Sequence, residues 1–415
     1  MTAPPSRATA DEQLALLTRG VVDVHVEAEL RERLAEGRPL LVKAGFDPTR
    51  PDLHLGHVVL LRKMRQFQDL GHEVVFVVGD FTARIGDPTG RNATRPVPTR
   101  EQIEEGARTY AEQAFRVLDP ARTRIEFNGR WLDAMRFDDV VRLAGRYTLA
   151  RMMERDDFRR RWQAHDRIGL HELLYPLAQA YDSVVLRCDV ELGGTDQLFN
   201  LLVGREIMKE YGLRPQIVMT TPILEGTDAR WRDGRLVGEK MSKSLDNWIG
   251  VVEPPLEQFG KLMSIGDELM WRYYELLSSR PLDEVAQRRA ACAEGRLNPR
   301  DAKLDLAHEL VACFHGRSAA DAAREAWIAQ FSRREVPEQL PEREVRAGEG
   351  DRIRLVTALA EAGVLPSTSE ARRRVRAGAV QVDGLRVMDE HATLERGRRY
   401  VIRAGKRDWV ALTVR

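Results

Sequence analysis

Cysteine is scarce in this chain. Its three copies in 415 residues, Cys188, Cys292 and Cys313, form no CxxC and no close pair. That excludes a disulfide framework and a cysteine-built zinc site, and it suits a reducing, cytoplasmic compartment. Long apolar runs are missing too: no stretch reaches the about 18 residues that would cross a membrane. The opening "MTAPPSRATADEQ" lacks the basic-then-apolar pattern of a secretory signal. There is neither an internal repeat at solenoid periods nor a low-complexity tract. Net charge is almost absent at +1, but its distribution is uneven. Residues 351–415 hold 14 Lys/Arg against 8 Asp/Glu, a surplus of 6, and the rest of the chain is at −5. A basic C-terminal module on a mildly acidic body points to a polyanionic partner for the tail.

What is present is ample for a folded core: 43% hydrophobic and 31% charged residues, in a chain too long for one ordinary domain. "LLVKAGFDPT" reads as a strand entering a turn, "HLGHVVLLRKMRQFQDLG" as a helix closed at Gly71, and "EVVFVVGDF" as a strand buried on both faces. That order is a βαβ unit. A second set follows: strand-like "SVVLRCDVEL", the turn "GGTDQ", helical "LFNLLVGREIMKEYG" and strand-like "QIVMTTPIL". Together they predict an α/β fold with a doubly wound, parallel, Rossmann-like sheet whose ligands sit at the carboxyl ends of strands. From about Pro254 the pattern is helical, and "SRREVPEQLPEREVRAGEGD" reads as a linker. Mixed α/β patterning returns in the last 65 residues.

Three short motifs carry chemistry. In "DLHLGH", His54 and His57 stand at the mouth of a helix. They could be metal ligands, nucleotide ligands or plain surface histidines. HExxH spacing and an acidic third ligand are both lacking, whereas Gly56 lets a phosphate approach the free N–H groups of a helix start. In "IGDPTGRNATRP", Arg91 and Arg95 stand on a glycine-bracketed turn, either solvated or facing polyphosphate. In "GEKMSKSLDN", Lys240 and Lys243 alternate with Ser242 and Ser244. Such a loop could hold a leaving pyrophosphate as charge develops. A fourth stretch, "LLYPLAQAYDSV", puts Tyr175, Gln179 and Asp182 on one helical face, as a polar pocket or an interhelical cluster.

"HLGH" near the first strand–helix turn and "KMSKS" after the sheet form, in that order, the paired signature that resembles class I aminoacyl-tRNA synthetases. "GFDPTRPDLHLGH", "GDFTARIGDPTGR", "ELGGTDQ" and "MSIGDELMWRYYELL" extend the resemblance to the bacterial tyrosyl-tRNA synthetases over essentially the whole chain after the first thirty residues. The resemblance implies a tyrosine–tRNA ligase that uses ATP with Mg2+, has no protein-ligated metal and no editing domain, and acts on tRNA(Tyr) as a homodimer. A region around Tyr147 to Phe158 is its implied interface. Asp47, Thr49, His54, Gly56 and His57 would face the ATP phosphates, and Gly194 and Asp196 the ribose. Lys240, Met241, Ser242, Lys243 and Ser244 would complete the ATP site, with Arg91, Arg95 and both lysines on pyrophosphate. Gly45 would lie close to tyrosine; Asp87, Tyr175 and Gln179 would hold its ammonium; Asp182 would accept from its phenol; and Gln197 would lie near its carboxyl group. A tryptophanyl-tRNA synthetase and a non-catalytic RNA-binding paralogue are the rival readings.

Three positions depart from the family pattern. Lys43 stands where many tyrosyl enzymes have a tyrosine, which leaves a second partner for the phenol open. "TDARWRDGRLVG" before the signature loop is longer than usual, and Asp246 stands where glycine is common. "LVTALAEAGVLPSTSEARRRVRAGAVQVDG" resembles the S4-type RNA-binding module, with Arg372, Arg373, Arg374 and Arg376 as RNA contacts. The expected organisation is therefore a Rossmann-like domain at 1–235, the signature loop at 236–250 and a helical anticodon-binding domain at 251–334. A linker at 335–350 and a small α+β S4-like domain at 351–415 complete it.

Overall fold

The computed structural model describes residues 8–48, 52–88, 99–331, 340–347, 350–405 and 409–415. The chain divides into two compact units, Met1–Trp327 and Ile328–Arg415.

In the first unit, β1 (Asp23–His25), β2 (Leu41–Phe46), β3 (Glu73–Val78), β4 (Thr123–Phe127), β5 (Val190–Gly194) and β6 (Ile217–Thr221) form one sheet in the order β1-β6-β5-β2-β3-β4. Strands β2 to β6 are parallel to their neighbours, and β1 pairs antiparallel at the β6 edge. Val74 to Val78 are all buried, the pattern of a strand covered on both faces. The helix Leu55–Asp69 links β2 to β3 and buries Leu55, Val58, Val59, Leu61, Met64 and Phe67 at helical spacing. Its exit turns at Gly71, whose φ of 90° suits the residue beyond a helix end. Adjacent strands β2 and β5 send the chain in opposite directions across the sheet, β2 toward β3 and β5 toward β6. Their carboxyl ends thus flank the crevice where a doubly wound sheet takes its ligand.

The strand expected from Ser183 is shorter than its sequence suggests. Ser183 to Leu186 finish the helix Tyr175–Leu186; the chain reverses at Arg187 in a left-handed conformation, and β5 begins only at Val190. A short apolar run has no period of its own to separate strand from buried helix. Here Val184 packs with Leu177 and Ala180 in a helical cluster.

Five helices follow as expected: Pro255–Ser264, Asp267–Leu277, Leu282–Ala293, Pro299–His315 and Arg317–Phe331. They belong to the same unit through Trp327. Tyr273 donates its hydroxyl to the Glu225 carbonyl at 2.9 Å, and Arg116 reaches the Phe314 carbonyl at 2.7 Å. The division expected at 235 falls inside a hairpin of β7 (Arg230–Arg232) and β8 (Arg235–Val237).

The second unit contains β9 (Glu342–Val345), β10 (Arg352–Arg354), β11 (Val380–Val382), β12 (Leu385–Val387), β13 (Thr393–Glu395), β14 (Arg399–Ala404) and β15 (Trp409–Val414). Five of these strands form a sheet in the order β12-β11-β14-β15-β9, and β10 pairs with β13. The helices Leu355–Glu361 and Thr368–Arg376 add Leu359, Ala371 and Val375 to a core shared with Ile402 and Leu412. The linker reading of 335–350 is thereby corrected. Within it, β9 pairs parallel with β15, Val345 opposite Val414. The partner that makes this charged stretch a strand lies some 70 residues away, outside any local pattern.

Candidate active site

A cavity of about 780 Å³ opens at the carboxyl ends of β2 and β5. Gly45 is next to last in β2 and Asp47 follows the strand, while Gly194 closes β5 and the short turn Thr195–Gln197 supplies Asp196 and Gln197. The start of the Leu55–Asp69 helix forms one wall with His54, Gly56 and His57, and the helix Tyr175–Leu186 gives Tyr175, Gln179 and Asp182. Asp87 and the loop Lys240 to Ser244 also line it, together with Asp52, Thr82 and Asn128. One cavity thus gathers these residues from segments up to 200 positions apart. Thr49, Arg91 and Arg95 lie outside the described residues.

The two histidines organise each other. His54 is the helix N-cap: its Nδ1 accepts from the Gly56 amide at 3.1 Å, and its own amide donates to His57 Nδ1 at 3.2 Å. The rings lie 4.0 Å apart between centroids. Burial, more than their mutual repulsion or the nearby lysines, pushes both imidazoles down, His57 to about 4. Both rings are therefore neutral at pH 7. With each Nδ1 acting as an acceptor, the remaining proton is at Nε2. The cavity is offered two uncharged N–H donors beside a helix N-terminus, an arrangement suited to phosphate oxygens.

The opposite end is acidic and buried. Asp182, 4% exposed, accepts from Trp131 Nε1 at 2.8 Å and Asn128 Nδ2 at 3.2 Å. Burial raises its carboxyl to about 6, while Lys43 pulls in the other direction. Asp47 is pushed up to about 7 by burial, despite hydroxyl donors from Thr82 at 2.7 Å and Tyr175 at 2.9 Å. Gly79 makes room for this arrangement, since a Cβ there would meet Asp47 Oδ1 at 2.0 Å. Asp87 accepts from Gln197 at 2.6 Å and from buried Arg155 at 3.2 Å. Lys43 is buried, with Nζ 2.8 Å from Glu191, whose carboxylate also accepts from Gln179, Ser183 and Gln216. The Lys43 departure is thus half of a buried ion pair behind the pocket, and the side-chain donors on Asp182 are Trp131 and Asn128.

The lysine loop is held at both ends. Asn247 accepts from the Ser242 amide at 2.8 Å and donates to Asp228 at 2.9 Å, while the Met241 amide donates to the Leu224 carbonyl at 2.9 Å. Lys243 pairs with Asp52 and lies 4.5 Å over the Trp248 ring; Lys240 stands 3.8 Å from Asp196, whose carboxyl is raised chiefly by burial. The hydroxyls of Ser242 and Ser244 meet at 2.9 Å. Asp246 has φ 53°, left-handed, a conformation that glycine adopts freely and that aspartate is one of the few side chains to tolerate.

Sequence reasoning missed Asp52, Thr82, Asn128, Trp131 and Arg155. Asn128 and Trp131 follow β4, and a strand drawn there would have marked its carboxyl end as ligand-facing. "TRIEF" is short and two of its five residues are charged, so it does not read as a strand. No sequence signal singles out Arg155. Among the described residues, no group of three or more His, Cys, Asp or Glu is arranged to hold a metal ion. In the second unit, Arg373 and Arg374 pair with Glu370, and Arg372 and Arg376 with Glu390.

Residues 35–332 match the family "tRNA synthetases class I (W and Y)", and residues 334–412 match the "Tyrosine--tRNA ligase SYY-like C-terminal domain". The tyrosine–tRNA ligase of Coxiella burnetii is 52% identical over 98% of this chain and 99% of its own, and that of Thermotoga maritima 51% over 98% of each. Among solved structures, a C-terminally truncated mitochondrial tyrosyl-tRNA synthetase from Aspergillus nidulans superposes with a TM-score of 0.64 at 24% identity, covering 78% of this chain and 95% of its own. The Archaeoglobus fulgidus tyrosyl-tRNA synthetase complexed with L-tyrosine gives 0.60 at 24% identity, covering 76% and 99%. At that identity the two structures speak for the fold alone.

Proposed function

The chain belongs to the class I tRNA synthetases of the tryptophan and tyrosine type, and we propose from that premise that it is a tyrosine–tRNA ligase. A carboxylate oxygen of tyrosine attacks the α-phosphorus of Mg-ATP, the bond to the β,γ-pyrophosphate breaks, and tyrosyl adenylate forms. A hydroxyl of the terminal adenosine of tRNA(Tyr) then attacks the activated carbonyl, and AMP leaves. The attacking carboxylate is already ionised, so the first step requires no enzyme base. It requires alignment, and cations or N–H donors where charge accumulates on the leaving group.

The observation that carries this reading is the polarity of this cavity. Neutral histidine N–H donors and two lysines line one end, and a buried carboxylate the other. In this reading, Lys240 and Lys243 leave Asp196 and Asp52 for the phosphates, joined by His54, His57, Thr49, Arg91 and Arg95. Gly194 and Asp196 receive the ribose; Asp87, Tyr175 and Gln179 hold the ammonium, with Gln197 near the carboxyl group. Asp182 accepts the phenol hydrogen. Phenylalanine offers it no donor, and forgoing a hydrogen bond to a charged group costs about 1.5–3 kcal/mol. Magnesium enters on ATP.

The exposed apolar side chains of the 137–170 region support a homodimer: Phe137 and Leu170 are 83% and 82% exposed, with Val141, Leu149 and Trp162 alongside. Phe158 is buried in its own chain's core, so the proposed interface is the exposed set rather than that residue. For the second unit, the Arg372, Arg373, Arg374 and Arg376 edge is the proposed RNA contact. Its pairs with the half-buried Glu370 and Glu390 lie at the surface and are weak enough to yield to phosphates. The described residues contain no helix long and apolar enough to cross a membrane, consistent with the cytoplasmic placement we propose.

The test is ATP–pyrophosphate exchange without tRNA, using tyrosine, tryptophan and phenylalanine in turn. Exchange with tyrosine alone is expected. Exchange with tryptophan would transfer the protein to the other branch of its family, and no exchange at all would leave an RNA-binding paralogue.

A further inference from the structure

The stretch that precedes the lysine loop forms the β7–β8 hairpin. Its two-residue turn, Asp233-Gly234, has both φ angles positive, 51° and 76°, the geometry that fits the twist of paired strands. The register pairs Arg230 with Val237, Trp231 with Leu236, and Arg232 with Arg235. Directly paired residues share a face, and faces alternate along a strand. Arg230, Arg232 and Arg235 therefore occupy one face, and Trp231 and Leu236 the other. Arg230 is engaged, donating to the carbonyls of Thr227 and Ala229. Arg232 and Arg235 are exposed, and among the described residues neither side chain makes a hydrogen bond or an ion pair. Two like charges set directly opposite each other repel, and a phosphate held between them would relieve that repulsion.

The hairpin is the outer end of a ladder that begins at the cavity. Met241 donates to the Leu224 carbonyl, Glu225 bridges Lys240, and the Gly226 amide donates to the Glu239 carbonyl at 2.9 Å. Gly238 then lies so close to Ala229 that a Cβ there would stand 2.5 Å from the alanine's. Nearby acids are occupied: Asp228 by Asn247, and Glu225 by Arg272 at 3.6 Å. Glu239 and Asp233 remain exposed, and Trp231 presents a ring that is 53% exposed.

We infer that this hairpin binds the phosphate backbone of the tRNA acceptor arm, Arg232 and Arg235 gripping it as its 3′ end enters the cavity beside Lys240. The inference rests on the proposed tRNA ligase activity: the 3′ adenosine must reach the adenylate, and the hairpin stands two residues from Glu239, which lines that cavity. The exposed Trp231 ring adds a stacking surface for an unpaired base on the hairpin's other face.

The experiment compares the full chain with Arg232→Ala/Arg235→Ala in two assays. Tyrosine-dependent ATP–pyrophosphate exchange without tRNA should be unchanged, which also reports an intact fold. In aminoacylation over a salt series, KM for tRNA should rise several-fold. The log–log dependence of kcat/KM on salt should become shallower by about 1.5–2, as expected for two lost phosphate contacts. Arg232→Lys/Arg235→Lys should retain most of that slope. An unchanged KM and slope would overturn the inference. So would a loss of exchange in the alanine variant, because the hairpin would then serve the lysine loop rather than RNA. If the unsubstituted protein shows no exchange with tyrosine, it is the ligase reading that fails. The salt slope of direct tRNA binding then tests the hairpin separately.

Discussion

Asp182→Asn separates the cost of this pocket from its use. The Asp182 carboxyl is raised to about 6 by burial, about two units above an unperturbed aspartate, and each unit corresponds to about 1.4 kcal/mol. Ionised Asp182 therefore destabilises the ligand-free fold by at most about 3 kcal/mol. Because the folded carboxyl holds its proton more tightly than the unfolded one, that cost is absent below about pH 4 and complete above about pH 6. Asparagine removes it. It also sets its own amide against that of Asn128, now 3.2 Å from the carboxylate, losing a hydrogen bond worth about 1 kcal/mol at every pH. The variant should thus be about 1–2 kcal/mol more stable than the original at pH 8 and about 1 kcal/mol less stable at pH 4. Urea unfolding at the two pH values measures both, and the change between them is diagnostic because packing effects cancel. A change below about 0.5 kcal/mol would refute the claim that Asp182 is held ionised at a cost. Discrimination between tyrosine and phenylalanine in exchange should meanwhile shrink about 10–100-fold.

Lys43→Met should destabilise by about 3–5 kcal/mol, because it strands Glu191 as a buried charge; Lys43→Met/Glu191→Gln should recover most of this in the same urea assay. The single variant also removes the nearest cation acting on Asp182, so the acid limb of tyrosine activation should move above pH 6, whereas the double variant leaves it nearly in place. Since His54 and His57 are held neutral, the pH profile of activation should show no histidine ionisation between about 6.5 and 9. Their depressed pKa values make stability fall with acidification from about pH 6.5 toward the His57 value of about 4, and His57→Gln should flatten that window. Lys240→Ala and Lys243→Ala should each lower activation about 10²–10³-fold while tyrosine affinity holds. Trp162→Glu should shift sedimentation from dimer to monomer, and an unaltered profile would dismiss the exposed 137–170 face as the interface.

The βαβ units and the helical segment were legible because each carries its own period or its own length of apolar chain. The motif residues were legible because short glycine-, lysine- and histidine-containing turns have few other uses in that order. What escaped is what depends on a distant partner. β9 is a strand only because β15 lies beside it. Ser183 to Leu186 are helix because Leu177 and Ala180 pack there. Trp131 and Asn128 matter only because their donors converge on a carboxylate more than 50 residues downstream. Lys43 looked like a missing tyrosine until Glu191 was found 2.8 Å from it. Pairwise relations of this kind leave no mark on either sequence neighbourhood.

The same pairs explain why the ligand-free cavity is arranged against its own stability. Asp182 and Asp196 both have raised carboxyls, and burial is the first cause for each. Such a set persists in a folded protein when a ligand supplies what the protein withholds. An ammonium, a phenol hydroxyl and two ribose hydroxyls are all donors, and each has a carboxylate awaiting it in the proposed pose. At the other end, Lys243 rests on Asp52 and Lys240 stands near Asp196, exchangeable pairs that phosphate oxygens outcompete through greater charge. Substrate binding thus completes hydrogen bonds at one end and exchanges ion pairs at the other. The reacting carboxylate and α-phosphate then meet between two regions of opposite preference, and that opposition fixes the orientation of the attack.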